Sequence, residues 1–114
     1  MTAYSQGQVV LIPFPFTNLT TTKQRPAVIL SSDTYNQTHP DLILAAITSQ
    51  IPTQPQPDEY LLSGTDQKTA GLPKLSLIKL GKIVTIDQRL IRKTLGKLPV
   101  ETMKKVKEVF QKNF

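Results

Sequence analysis

One arginine and a short group of hydroxyl and amide side chains hold most of the chemistry in this sequence. Arg25 stands directly before Pro26 and the apolar run that follows it. Thr48, Ser49 and Gln50 stand directly after a second apolar run, residues 42–47. A guanidinium stays charged at any physiological pH, and its planar fork of N–H donors matches two phosphate oxygens at once. Hydroxyls and an amide beside it add single donors, so the set is suited to holding a phosphate. Each residue alone has a plainer reading: Arg25 as a strand-edge cation, Thr48 as a residue that fits β structure.

The elements around these residues decide whether they can meet. Residues 9–14 are apolar and β-rich, with Pro13 and Pro15 ending or bulging the strand. Residues 17–24 form a polar connector, long for a hairpin. Residues 26–30 are expected to form a second strand with Pro26 in its first position and Arg25 held extended before it. Ser31, Ser32 and Asp33 stop that strand, and residues 34–40 suit a single helical turn. The continuous apolar run 42–47 suits a strand covered on both faces, which brings Thr48 out at the edge of the core.

Three prolines make residues 51–58 a loop. Residues 59–62 suit a short strand and 64–71 a polar turn region. Residues 75–80 and 82–86 read as a last β pair joined around Gly81. Asp87 is placed to cap a short helix through Leu95, closed by Gly96. Pro99 opens a final helix that buries Met103, Val106 and Phe110. About six short strands with helices at the C-terminal end predict a mainly β fold, a small, strongly bent barrel or partly closed sheet.

Composition narrows the function classes. A chain of 114 residues suits one domain, residues 1–114, and 39% hydrophobic with 19% charged residues suits a globular one. The absence of cysteine removes disulfides and thiolate metal sites. The eight carboxylates show no metal-ligand spacing, and the single histidine, His39, lies in a polar stretch without a partner motif. No cofactor or metal is therefore expected. No apolar run approaches the roughly 20 residues that span a bilayer, and no signal-peptide pattern opens the chain, so no membrane association and a cytoplasmic location are expected. The net charge of +6 divides as −2 over residues 1–60 and +8 over residues 61–114. A basic half of this kind favours a polyanionic partner, and it equally serves to keep a lysine-bearing helix solvated.

Taken together, residues 7–16, Arg25-Pro26-Ala27-Val28, Ile47-Thr48-Ser49-Gln50, Gly71-Leu72 with Ser76, Thr85-Ile86-Asp87 and Leu95-Gly96-Lys97-Leu98 resemble the PemK/MazF family of toxins from toxin–antitoxin pairs. The resemblance implies an SH3-like barrel with a C-terminal helix, assembled as a homodimer with an RNA groove. It implies a metal-independent endoribonuclease acting on single-stranded RNA, restrained by a cognate antitoxin that lies in that groove. Arg25 and Thr48 match the family's catalytic pair. Thr20, Thr22 and Lys23 of the connector, with Ser49, Gln50, Lys79 and Lys82, are the candidate RNA contacts. Phe14 and Phe16 are candidates for stacking on bases. The chain departs from many relatives in its Gly81-Lys82-Ile83-Val84-Thr85 run, where they carry Asp-Gln-Ile-Arg-Thr.

Metal-free RNA cleavage uses the adjacent 2′-hydroxyl as nucleophile and yields a 2′,3′-cyclic phosphate and a 5′-hydroxyl. The protein orients that hydroxyl and neutralises the charge that grows on the phosphorus oxygens. Arg25 and Thr48 supply donors of the right kind, whereas proton abstraction does not suit an arginine. Two other classes compete with this reading. One is a non-catalytic small-barrel module binding nucleic acid or protein. The other is a Pro-rich-peptide binder, which the absence of tryptophan disfavours.

Overall fold

Alternate residues of three adjacent strands run into two separate apolar clusters, and this division organises the molecule. The computed structural model describes residues 4–14 and 23–114, with Phe14 and Lys23 described in their backbone only. Its elements are β1 (Gln8–Phe14), β2 (Lys23–Ile29), α1 (Asp33–Thr38), β3 (Asp41–Thr48), β4 (Glu59–Leu61), α2 (Gly64–Thr69), β5 (Leu77–Asp87), a 3₁₀ turn (Gln88–Leu90), β6 (Lys93–Lys97) and α3 (Val100–Asn113). The strands form one antiparallel sheet in the order β4-β5-β3-β2-β1-β6. Val9, Val28, Ala45 and Ile47 join Ile78, Leu80, Met103 and Val106 on the face that α3 covers. Val10, Ile12, Ala27, Ile29, Leu44 and Ala46 point the other way into a second cluster, flanked by Tyr4, Val84, Ile86 and Ile91. A strand buried on both faces needs apolar residues at every position, hence the unbroken run at 42–47.

The fold is mainly β and barrel-like, as expected, although the ladder does not close on itself. A backbone seam does the closing. Gly71 has φ +73°, and a side chain there would collide with the Leu95 carbonyl oxygen. A Cβ on Gly96 would stand 2.5 Å from the Ala70 carbonyl carbon. The segment after β4 thus lies backbone to backbone on β6, and only glycine permits that approach.

Several boundaries differ from the sequence reading. β2 begins at Lys23, so Pro26 is its fourth residue rather than its first. The polar region at 64–71 contains a helix, α2, because the Ser63 hydroxyl accepts the Asp66 amide at 3.0 Å as an N-cap. Residues 77–87 make a single strand rather than a β pair, since β3 is long enough to pair with both halves while Gly81 sits in a bulge. Asp87 caps only the 3₁₀ turn, accepting the Arg89 amide at 2.8 Å, and Gly96 belongs to β6 instead of ending a helix. The Arg89 side chain bonds the same carboxylate, which lowers the Asp87 pKa below the ordinary carboxyl value. The 34–40 turn and the final helix are present as α1 and α3; Met103 and Val106 are buried and Phe110 is half-buried. Among the described residues, no helix is long and apolar enough to cross a membrane.

Candidate functional site

Pro26 determines where the site opens. The Gly7 amide donates to the Ile29 carbonyl on the β1 side, whereas the Leu30 amide donates to Ile43 on the β3 side. Backbone groups alternate along a strand, so the Pro26 nitrogen faces β3, where it has no hydrogen to give. The β2–β3 ladder accordingly runs only over Ala27↔Ala46, Val28↔Ala45 and Ile29↔Leu44, while β3 itself continues to Thr48. Carrying the same register on by two residues sets Arg25 across from Thr48, on the face that holds Ala27 and Ala46. The ladder ends, and a guanidinium and a hydroxyl stand where it would have continued.

Two recesses meet at this point. One, of about 280 Å³, is lined by Arg25, Ala46, Ile47, Thr48, Gln50, Lys79 and Lys82. A single methyl at Ala46 leaves its floor low. The other, about 390 Å³ and more apolar, is lined by Arg25, Pro26 and Thr48 together with Ser49, Leu72, Ser76 and neighbouring residues. Arg25 and Thr48 are common to both. Arg25 is only partly exposed, with its Nε buried, and it is held on its other side by the β1 ladder opposite Ile12. The Thr48 hydroxyl accepts the Gln50 amide at 3.1 Å, which fixes its oxygen and leaves its own hydrogen to be donated.

The two lysines reach the first recess by different means. Lys79 lies in register opposite Ala46, two residues along from the Thr48↔Leu77 pair, and so shares the Thr48 face. Lys82 is an odd number of residues away and belongs on the opposite face of a regular strand. The register jumps from Ala45↔Ile83 to Ala46↔Lys79, so residues 80–82 bulge out of β5 and Lys82 turns into the same recess. The bulge rests on Asp58: its carbonyl accepts the Leu80 amide at 3.0 Å, and its carboxylate lies against Gly81, 2.5 Å from where a Cβ would stand.

The candidate contacts therefore divide. Gln50, Lys79 and Lys82 join Arg25 and Thr48 in the first recess, and Ser49 lies in the second. Lys23 opens β2, with only its backbone described, and Thr20, Thr22 and Phe16 lie outside the described residues. His39 is exposed at the end of α1, stacked on Tyr35 with ring centroids 3.9 Å apart. Lys74, which lines the second recess, was not singled out from the sequence; an isolated lysine after a proline gives no signal. In the sequence, Glu59 has the signature only of a strand start. Among the described residues, neither recess is lined by a carboxylate or an imidazole, and no group of three or more His, Asp or Glu could hold a metal ion.

Comparison with known proteins agrees with this architecture. Residues 5–114 match the family model described as PemK-like, MazF-like toxin of type II toxin-antitoxin system. Endoribonuclease EndoA of Bacillus subtilis (strain 168) is 34% identical over 87 residues, 76% of this chain and 72% of EndoA. An endoribonuclease solved in complex with its cognate antitoxin, from a mycobacterial species, superposes with a TM-score of 0.78 at 19% identity, over 96% of this chain and 93% of that one. MazF from Deinococcus radiodurans gives a TM-score of 0.75 at 19% identity, over 99% and 97% of the two chains. At these identities the solved structures establish a shared fold.

Proposed function

We propose, from the premise that this chain belongs to the PemK/MazF family of toxin–antitoxin toxins, that it is an endoribonuclease cleaving single-stranded RNA at the Arg25–Thr48 recess. The observation that carries the proposal is that Arg25 and Thr48 both line each of the two recesses, just beyond the point where the β2–β3 ladder stops. A scissile phosphate seated there receives two N–H donors from Arg25 and one O–H donor from Thr48. As the 2′-oxygen attacks phosphorus, charge grows on the non-bridging oxygens and these donors strengthen. One such donor is worth about 10²–10³ in rate. Lys79 and Lys82 add positive potential across the recess, and Gln50 offers an amide to the bound nucleotide.

Arginine keeps its proton far above neutral pH, so Arg25 serves as a donor rather than a base. Solvent takes the 2′-hydroxyl proton, given that no carboxylate or imidazole lines the recess among the described residues. The P–O5′ bond breaks and solvent gives a proton to the leaving oxygen, leaving a 2′,3′-cyclic phosphate and a 5′-hydroxyl. The donor set also supports a reaction without a metal. By the same reasoning from its relatives, the protein works as a homodimer restrained by a cognate antitoxin, whose segment competes with RNA over residues 17–24. The EndoA and mycobacterial relatives are named endoribonucleases, and the latter was solved with its antitoxin.

The test is incubation of the purified protein with a long single-stranded RNA in EDTA, followed by end mapping. Cleavage is expected to persist and to leave 5′-hydroxyl ends. Cleavage lost with EDTA defeats the metal-free mechanism, and salt-dependent binding without product defeats the enzyme reading.

A further inference from the structure

The Lys79 ammonium is aimed by a neighbour that the cleavage mechanism does not use. Glu59, Lys79 and Ala46 stand in register across β4, β5 and β3. Lys79 Nζ lies 3.6 Å from Glu59 Oε2, with the glutamate side chain 8% exposed and the lysine 34%. The other carboxylate oxygen, Oε1, accepts the Gln56 amide at 2.7 Å, and the Glu59 amide donates to the Gln56 carbonyl at 3.0 Å. Glu59 is thus fixed by backbone, and Lys79 is the member of the pair that has reach. Its ammonium carries three donors, and at 3.6 Å from Glu59 Oε2 it is ion-paired without a direct hydrogen bond.

Lys79 also sits at a boundary. It lines the recess of Arg25 and Thr48 and a further recess of about 400 Å³ formed with Gln50, Ile51, Pro52, Gln56 and Glu59. We infer that Glu59 is a positioning residue: it holds Lys79 at the junction of the two recesses, ready for the phosphate that flanks the reacting one. The inference rests on the nuclease reading above. A lysine loses much rotamer freedom when it is ordered by a ligand, and ordering it beforehand removes that cost from RNA binding.

The sign of the effect separates this role from its alternative. A carboxylate beside a bound polyanion repels it, so by charge alone the removal of Glu59 tightens RNA binding. Positioning gives the opposite outcome. The experiment uses an RNA oligonucleotide spanning a mapped cut site, and the same oligonucleotide made uncleavable by 2′-O-methylation of the reacting ribose. Glu59→Gln keeps an oxygen for the Gln56 amide and is expected to raise KM and the Kd of the uncleavable RNA about fivefold. Its kcat should stay within about twofold of wild type. The slope of log K against log salt is expected to flatten by about 0.7, the same change as is expected for Lys79→Met. The double variant should bind no more weakly than Lys79→Met.

Glu59→Asp keeps the charge and shortens the reach, and is also expected to raise KM; repulsion alone would leave it unchanged. Unchanged or tighter binding in Glu59→Gln overturns the inference, as does a double variant whose losses multiply. If wild-type protein cuts no RNA, the nuclease premise fails and this inference falls with it. If RNA is cut while Glu59→Gln binds as wild type, only the positioning role is lost.

Discussion

β2 and β3 run out together at two places, and polar groups are treated in opposite ways at each. At one end, Ser31 and Asn36 are buried and spend their hydrogen bonds inside the protein. The Asn36 amide donates to the Tyr4 carbonyl at 3.1 Å and the Ser31 carbonyl at 3.2 Å, and the Ser31 hydroxyl donates to Asn36 Oδ1 while accepting the Ile43 amide at 3.2 Å. Gln88 reaches across to the Asn36 and His39 carbonyls, each at 2.9 Å. At the other end, Arg25, Thr48, Gln50 and the two lysines line a recess. The closed end uses neutral amides and a hydroxyl, whereas the open end adds three cations, and the two ends differ also in whether a cap is built over them. α1 and the 3₁₀ turn cover the first end. Pro26 stops the ladder at the second, and no described element covers it. Polar groups sealed under a cap stabilise, and polar groups that line an open recess can bind.

The contrast can be broken by substitution. Arg25→Ala removes the bidentate donor and should lower kcat/KM about 10²–10³-fold or more, with the thermal midpoint little changed. Steady-state cleavage read beside a melting curve decides it, and a large fall in stability with activity retained would reverse the assignment of the two ends. Thr48→Val keeps the β-branched shape and deletes the hydroxyl; its cleavage rate should drop about 10²-fold. A rate close to wild type would remove Thr48 from the reaction.

At the closed end the expected pattern inverts. Asn36→Ala should cost about 2 kcal/mol of unfolding free energy in a denaturant titration, since it leaves buried carbonyls without donors. Its kcat should match wild type at temperatures where it stays folded. Pro26→Ala sharpens the comparison by returning an N–H to the β3 side. The ladder can then extend toward Ile47, and cleavage should fall roughly tenfold as the site geometry shifts. Equal activity with an unchanged hydrogen-exchange pattern would show that proline does not set the opening.

The smallest effect concerns acid. The Asp87 carboxyl, whose pKa its bonds from Arg89 lower, anchors the turn that delivers Gln88 to the closed end. A depressed folded-state pKa gives stability that is present above the unfolded value and lost as pH falls through the folded one. Asp87→Asn should flatten that part of the acid stability profile slightly, because the group is exposed. An identical profile in the variant would show that the cap does not matter to the closed end.

Much of this architecture was legible in the chain, for identifiable reasons. The unbroken apolar run of β3 and the buried spacing of Met103 and Val106 in α3 depend on local periodicity, which survives in a one-dimensional reading. The misread stretches were those where a long-range contact overrides local preference. Gly96 looks like a helix stop and is instead a strand residue pressed against the Ala70 backbone. Gly81 looks like a hairpin turn and is the crest of a bulge resting on Asp58. α2 is the exception, since its Ser63-x-x-Asp66 cap is a local signal within a polar stretch. At the site, Arg25 and Thr48 were visible as chemistry, and the shared direction of Lys79 and Lys82 was not.

Residue types alone determined that this protein carries one arginine before a proline and one threonine after an apolar run, and that a phosphate is the ligand such groups suit. They also determined two-faced strands and a final amphipathic helix, because side-chain direction follows from period two and period 3.6. Tertiary structure alone decided that Arg25 and Thr48 line one recess, that Lys82 turns into it, and that Glu59 pairs with Lys79. Those facts are matters of register between distant segments. A shift of one residue sends every side chain to the opposite face of the sheet, and only the packed strands fix it.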